Sequence, residues 1–299
     1  MLSRVRVDIM VLQNRPWPVL RGRARRAEEM GFTGLWVTDH LVNPYRPEQD
    51  WFEAWTLMGA LALATSNIRI GPMVSSLSMR NPVLLARAAM TLDHLSGGRF
   101  DLAIGAGGAP FDHAMTAIPP FDAPGERAER LEEAVGIVSD LLRAGRAERS
   151  DGYYPVHGAV VHPAPVQGHL PITVGALGRS ALRTAARHAD VWNTQGMARG
   201  KDLKGLLPHD DAVAVTRERS EYFDRMLEEE GRDPAEVRRS YLMSGTYSGG
   251  IPSVEEFLAQ AEDLRGAGMQ ELIIYWPGDE SQEAALERLA AEALPRLPD

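Results

Sequence analysis

IRIGPMVSSLSMRNPVLLARAAMTLDHLSGGRFDLAIGAG, residues 68–107, is the stretch that decides the fold. The apolar run IRIGPMV predicts a strand. Asn81 and Pro82 predict the start of a helix, because asparagine caps helices and proline suits the first helical position. The helix ends at the glycines of SGG, and FDLAIGAG predicts the next strand. A strand, a helix and a second strand within about 40 residues are typical of a right-handed parallel unit.

The same alternation runs through the rest of the chain. The predicted strands lie near 5–12, 34–39, 68–74, 100–105, 171–177, 190–194, 239–247 and 271–276. The predicted helices lie near 17–30, 52–65, 82–95, 124–144, 179–188, 210–231, 253–267 and 281–294. Eight such units predict a closed (β/α)8 TIM barrel, a single domain over 1–299 with loop insertions.

Two stretches interrupt this rhythm. Residues 146–168 predict a short hairpin and loop between the fourth helix and the fifth strand. Residues 196–210 are polar and aperiodic, and they follow the sixth strand. Long loops of this kind are often lids, so we expect a mobile lid over the substrate side.

Composition excludes several classes of function. The chain has 299 residues, a net charge of −9 and no cysteine, which rules out disulfides, thiolate nucleophiles and iron–sulfur clusters. Basic residues are scattered among acids, so no nucleic-acid partner is expected. No HExxH motif is present, and no metal site is expected. We find neither a signal peptide nor an apolar run of about 18 residues, so we expect a cytoplasmic protein without a membrane partner.

The carboxyl ends of the predicted strands carry the candidate functional residues, because barrel enzymes build their sites there. Asp39 and His40 end the second strand. Histidine can donate, accept or change charge near neutral pH, which suits catalysis. The alternative is that His40 caps the following loop and Asp39 pairs with an arginine.

Small residues follow three further strands. Glycine allows a ring or a phosphate to approach the backbone closely, although a tight turn is the simpler explanation. At the fifth strand the glycine-rich turn opens a helix, whose free N–H groups favour anions. It lacks the GxGxxG pattern of a dinucleotide site. These candidates are Met73, Val74, Ser75, Gly105, Ala106, Gly107, Gly108, Gly175, Ala176, Leu177, Gly178 and Arg179, and Asn193 ends the sixth strand as a neutral hydrogen-bonding group.

Four blocks in this order carry a family resemblance: EEMGFTGLWVTDHL at 28–41, the segment 68–107, PITVGALGRSALRTAARHADVWN at 171–193, and ELIIYWPG at 271–278. From Val5 to about Ile274 the chain resembles the luciferase-like monooxygenase superfamily, in the branch that uses the deazaflavin coenzyme F420. The resemblance implies an oxidoreductase that moves a hydride between the deazaflavin C5 and a small organic substrate. FMN with oxygen, in a monooxygenase, is the first alternative, and a cofactor-free binding protein on the same barrel is the second.

The resemblance also implies roles for single residues. It places His40 near the reactive ring as the catalytic residue and Asp39 among the groups that hold the cofactor. It places a cis peptide between Met73 and Val74 beneath the ring, and cofactor contacts at the glycine turns and at 175–180. Gly108 stands where the sugar-phosphate dehydrogenases of the family carry a glutamate proton donor, which argues against that activity. Family members are often homodimers, so a homodimer is expected.

Overall fold

The computed structural model describes residues 5–44, 46–107, 109–116, 123–197 and 205–297. Their strands are β1 (Arg6–Met10), β2 (Gly34–Val37), β3 (Arg69–Pro72), β4 (Ser75–Ser76), β5 (Leu102–Gly105), β6 (Arg146–Arg149), β7 (Val156–Val160), β8 (Ile172–Gly175), β9 (Val191–Gln195), β10 (Arg238–Leu242) and β11 (Glu271–Tyr275). Their helices are α1 (Trp17–Glu29), α2 (Ala54–Ala64), α3 (Pro82–Ser96), α4 (Pro110–Thr116), α5 (Pro124–Ala144), α6 (Arg179–His188), α7 (His209–Glu229), α8 (Gly245–Gly249), α9 (Val254–Gly266) and α10 (Glu283–Ala293).

Nine parallel strands form the barrel, in the order β3-β2-β1-β11-β10-β9-β8-β5-β4. The third strand of the barrel is split in two: β3 pairs with β2, whereas β4 pairs with β5. A bridge between Ile70 and Phe100 joins β3 to the segment before β5 and closes the ring. With β3 and β4 counted as one, the architecture is the predicted (β/α)8 TIM barrel.

The helices form the outer layer, and local sequence signals set their ends. The Asn81 side chain caps α3 by accepting from the backbone N–H groups of Val83 and Leu84. Ser253 and Glu256 form a capping box at the start of α9. None of the helices within the described residues is long and apolar enough to cross a bilayer.

Two apolar layers hold the barrel together. The larger lies between the sheet and the helices. The smaller layer fills the barrel interior. Its buried side chains are Met10, Trp36, Met73, Ala103, Leu242, Ile273 and Tyr275. Because this interior is packed, ligands have room only at the ends of the barrel.

Three details correct or extend the predictions. Residues 146–168 do contain a hairpin, formed by antiparallel β6 and β7. The predicted strand 239–247 is wrong beyond Leu242, because Gly245–Gly249 forms α8. There Tyr275 donates its backbone N–H to the Thr246 hydroxyl, and the Tyr247 ring packs against the Tyr275 ring at an angle of 59°. The short helix α4 was not predicted.

Candidate active site

His40 lies just past the end of β2, at the carboxyl-terminal mouth of the barrel. Its Nδ1 is 2.8 Å from Oδ2 of Asp112, on α4. The Trp51 indole donates to the His40 carbonyl, and the Phe111 ring packs 5.6 Å from the imidazole. The side chain is 34% exposed. The imidazole is therefore held on one side and open on the other, as a proton-transfer group at a site requires.

Asp112 is the residue at this site that the sequence analysis missed. It is buried, and its Oδ1 accepts the backbone N–H of Leu41 at 2.9 Å. A proline at position 110 signals the start of a helix here, as at Pro82. No local signal pairs Asp112 with His40, which is 72 residues away in sequence.

Asp39 pairs with an arginine, Arg80, which is the alternative that the sequence analysis gave to a functional role for this residue. Its carboxylate accepts from Arg80 Nε at 2.6 Å and from Arg80 Nη2 at 2.5 Å. It also accepts the Ser75 hydroxyl and the Ser76 backbone N–H, at 2.9 and 3.2 Å. Trp55 donates to the same Ser75 hydroxyl. Asp39 and Ser75 thus hold the loop beside the mouth.

Arg80 pairs with two carboxylates, those of Asp39 and Glu53. Arg80 also donates to Glu53 at 2.9 Å and lies over the Trp55 ring. Burial opposes the charged guanidinium, but the hydrogen bonds to Asp39 and Glu53 outweigh it and raise the pKa of Arg80. Burial likewise opposes the Glu53 carboxylate, yet donors from Thr56 and Arg80 outweigh it and lower its pKa. This side of the mouth is therefore rigid and charged.

Val74 explains two of the candidate glycines. The peptide bond between Met73 and Val74 is cis, as predicted. The Val74 side chain reaches over the ends of β5 and β8: a Cβ on Gly175 would lie 3.0 Å from Val74 Cγ1, and one on Gly105 would overlap Cγ2. Glycine is favoured at positions 105 and 175 because the Val74 side chain occupies the space that a Cβ would need. Met73 belongs to the barrel interior.

Gly107 needs its glycine for a different reason. Its φ is +75°, a conformation that side chains disfavour, and a Cβ would overlap the hydroxyls of Ser76 and Ser78. These two hydroxyls lie 2.8 Å apart. Ala106, between the two glycines, packs partly buried against the outer core. Gly108 lies outside the described residues.

The turn after β8 opens α6 as predicted. Gly178 is the N-cap, and among the described residues no side chain caps the first N–H groups of the helix. The guanidinium of Arg179 lies 5.1 Å from the Tyr222 ring centroid. Trp192 fixes the turn by donating to the Ala176 carbonyl, and Leu177 is half-buried beside it. This helix start is suited to an anionic group.

Asn193 faces the barrel interior, where its amide donates to the Ser240 hydroxyl at 3.0 Å. It therefore joins β9 to β10. The expected lid falls largely on residues 198–204, which lie outside the described residues. The two flanks are joined by a bridge between Met197 and Leu206. Arg219 donates to the carbonyls of Gln195 and Met197 on the first flank.

A sequence profile described as luciferase-like monooxygenase matches residues 1–296, almost the whole chain. The chain belongs to the luciferase-like monooxygenase family. One relative, the F420-dependent glucose-6-phosphate dehydrogenase of Amycolatopsis mediterranei, is 26% identical over 92% of this chain and 92% of its own. A second, the phthiodiolone/phenolphthiodiolone dimycocerosates ketoreductase of Mycobacterium tuberculosis, is 31% identical over 67% of this chain and 57% of its own.

A solved structure with the same luciferase-like barrel is an F420-dependent secondary alcohol dehydrogenase in complex with an F420–acetone adduct. It superposes with a TM-score of 0.83 at 19% identity and covers 99% of this chain and 100% of its own. At this identity the likeness shows the fold.

Proposed function

We propose that this chain is an F420-dependent oxidoreductase that transfers a hydride to or from a small organic substrate at the mouth of the barrel. The observation that carries the proposal is the placement of His40, whose imidazole is anchored through Nδ1 and otherwise open at the mouth. The full-length likeness to an F420-dependent dehydrogenase supports the choice of cofactor.

The residues present fit a flat cofactor with an anionic tail. Val74 covers the glycine ends of β5 and β8 and offers an apolar surface at the centre of the mouth. The uncapped start of α6, with Arg179, offers donors and positive charge to a phosphate. When bound there, F420 would accept or donate the hydride. Asp39 would act indirectly, by fixing the Ser75–Ser76 segment next to Val74.

His40 would carry the proton that accompanies the hydride. Reduction of a carbonyl leaves an oxygen that must be protonated, and oxidation of an alcohol releases that proton. The described contacts of His40 occupy Nδ1, so Nε2 is the nitrogen available to the substrate oxygen. The carboxylate of neighbouring Asp39 is already engaged by Arg80.

Parallel fluorescence titrations of the purified protein with F420 and with FMN test the choice of cofactor. We expect F420 to bind and FMN to bind much more weakly. Tight binding of FMN alone would support the monooxygenase alternative, and binding of neither would support a cofactor-free protein. Arg179→Met should weaken F420 binding roughly two- to five-fold, as expected for a charge at a helix start. Arg183→Met, one turn further along the same exposed face, is the matched control and should bind as the wild type does.

We also propose that the protein is a cytoplasmic homodimer. Helices α2 and α3 pack side by side and expose Leu63, Leu84 and Leu95, which are 71%, 67% and 44% exposed. Helix α2, AWTLMGALALA, carries no charge on any face, which is typical of a covered helix. Light scattering after size exclusion should give twice the chain mass. Leu63→Glu should shift the protein to monomers, whereas Val19→Glu on α1 should not.

A further inference from the structure

We infer that Asp112 is a positioning residue for His40, which fixes the imidazole tautomer so that Nε2 exchanges the substrate proton. The inference rests on the proposed function for its catalytic meaning, although the tautomer itself is a property of the protein alone.

The geometry fixes the carboxylate at both oxygens. Oδ2 contacts Nδ1 of His40 at 2.8 Å, and Oδ1 accepts the backbone N–H of Leu41 at 2.9 Å. Asp112 thus binds two consecutive residues after β2 and cannot rotate away without losing both contacts. It is 2% exposed, so water does not compete strongly for either oxygen. Phe111, one residue earlier on α4, packs on the imidazole and limits its rotation.

An ionised carboxylate only accepts hydrogen bonds, so the proton of a neutral His40 lies on Nδ1. Nε2 then presents a lone pair to the mouth. When Nε2 gains a proton from a substrate, the same carboxylate stabilises the positive ring. The arrangement therefore supports both directions of proton transfer at one atom, as an oriented base requires.

The turn that follows β5 carries no carboxylate of its own, since it reads Gly105-Ala106-Gly107-Gly108. Gly108 stands where the resemblance implies a glutamate proton donor in sugar-phosphate dehydrogenases. Asp112 lies four residues further on and reaches His40 instead of the open mouth. Among the described residues, the other carboxylate next to His40 is Asp39, and Arg80 neutralises it. Asp112 is thus the described carboxylate that acts on the imidazole.

Nitrogen NMR of the cofactor-free protein tests the tautomer directly. With ¹⁵N-labelled histidine, the signals of His40 are assigned by their loss in His40→Gln. We expect a protonated Nδ1 and an unprotonated Nε2 in the neutral wild-type ring. The opposite tautomer in the wild type would overturn the inference without any variant.

Asp112→Asn provides the isosteric test. The Leu41 N–H holds the amide oxygen, so the amide nitrogen faces His40 and donates to Nδ1, which shifts the proton to Nε2. We expect the tautomer to reverse and kcat to fall about 10²-fold, the lower range for a positioned acid–base group. The Kd for F420 should change less than about two-fold, and Asp112→Glu should recover part of the loss. Asp151→Asn, in the exposed hairpin turn, is the matched control.

The outcomes separate this inference from the proposed function. An unchanged His40 tautomer in Asp112→Asn, or an unchanged kcat with a reversed tautomer, would refute the positioning role. Failure of the wild type to bind F420 would refute the proposed function, while the NMR result would still decide how Asp112 acts on His40.

Discussion

The two ends of the barrel both carry charged side chains, and they use them differently. At the amino-terminal end, the barrel interior holds the buried carboxylates of Asp8 and Glu271, with Arg69 and Arg238 beside them. Thr33 and Trp36 donate to Asp8, and Arg69 forms a bidentate ion pair with Asp101. A shallow cavity of about 570 Å³ opens at this end, lined partly by Arg6, Arg69 and Arg238.

At the carboxyl-terminal end the charges pair around an opening. Asp39 and Glu53 neutralise Arg80, and Asp112 anchors His40. The described contacts leave the other imidazole nitrogen for the proton transfer that we propose. The amino-terminal network thus closes that end of the barrel interior with paired charges, whereas the network at the mouth orients the His40 imidazole. The proposed function therefore places catalysis at the mouth and stability at the amino-terminal end, and mutations should separate the two.

The largest expected effect is at the mouth. His40→Ala should slow turnover by about 10²–10⁴-fold, because a positioned acid–base group contributes that much. Steady-state kinetics and F420 titration measure it, and the melting temperature should stay near that of the wild type. His157→Ala, on the exposed hairpin, is the control. An unchanged rate in His40→Ala would return this histidine to a purely structural role.

The next effect is at the sealed end and depends on pH. Burial raises the pKa of Glu271 from 4.5 to about 7, against the opposing pull of Arg238. The folded state therefore favours the protonated acid. The contribution of Glu271 to the free energy of unfolding is fully present below about pH 4.5. It is lost as the pH rises towards 7, which lowers the free energy of unfolding by roughly 3 kcal/mol.

Glu271→Gln should remove much of this dependence, since the amide stays neutral. Urea unfolding at several pH values measures it, with exposed Glu218→Gln as the control. Burial also raises the pKa of Asp8, so a smaller slope of the same sign should persist in Glu271→Gln. A slope as steep as that of the wild type would contradict the assignment to Glu271.

A smaller effect is expected from Arg69→Met. The change leaves the Asp101 carboxylate without its bidentate guanidinium partner. It also removes the hydrogen bonds that Arg69 donates to the Gln167 side chain and to the Phe100 carbonyl. Because Arg69 is partly exposed, we expect a loss of about 2 kcal/mol, below the range for fully buried pairs. The kcat of the folded fraction should not change. Arg21→Met on the outer face of α1 controls for loss of charge, and a lower kcat in Arg69→Met would show that the two ends are coupled.

The sequence predicted most of the fold because local signals mark it. The helix 124–144 has its predicted bounds, with Pro124 at its start and Gly145 in the left-handed conformation at its end. The strand prediction failed after Leu242, where the Ser244-Gly245 pair starts a turn that the apolar pattern around it concealed. Helix α4 was missed because seven residues are too few for a clear period.

The candidate site was predictable only residue by residue. The sequence placed Asp39 and His40 at the end of the second strand, and the structure has them just after β2. The barrel fixes which end of each strand forms the mouth. Their partners, Arg80 and Asp112, come from distant segments, and no sequence periodicity links them. The glycines were recognised for their small size, yet the space beside two of them is taken by Val74, which only the three-dimensional packing reveals.

The split third strand gives Asp39 a further significance. Between β2 and β4 the barrel has no continuous ladder, since β2 pairs with β3 and β4 pairs with β5. The Asp39 carboxylate spans this seam by accepting the Ser76 backbone N–H. One side-chain carboxylate thus takes the place of a backbone carbonyl as the hydrogen-bond acceptor across this gap in the ladder. The connection between β2 and β4 at the rim of the mouth therefore depends on the side chain at position 39, whereas the strands below it are joined by backbone hydrogen bonds.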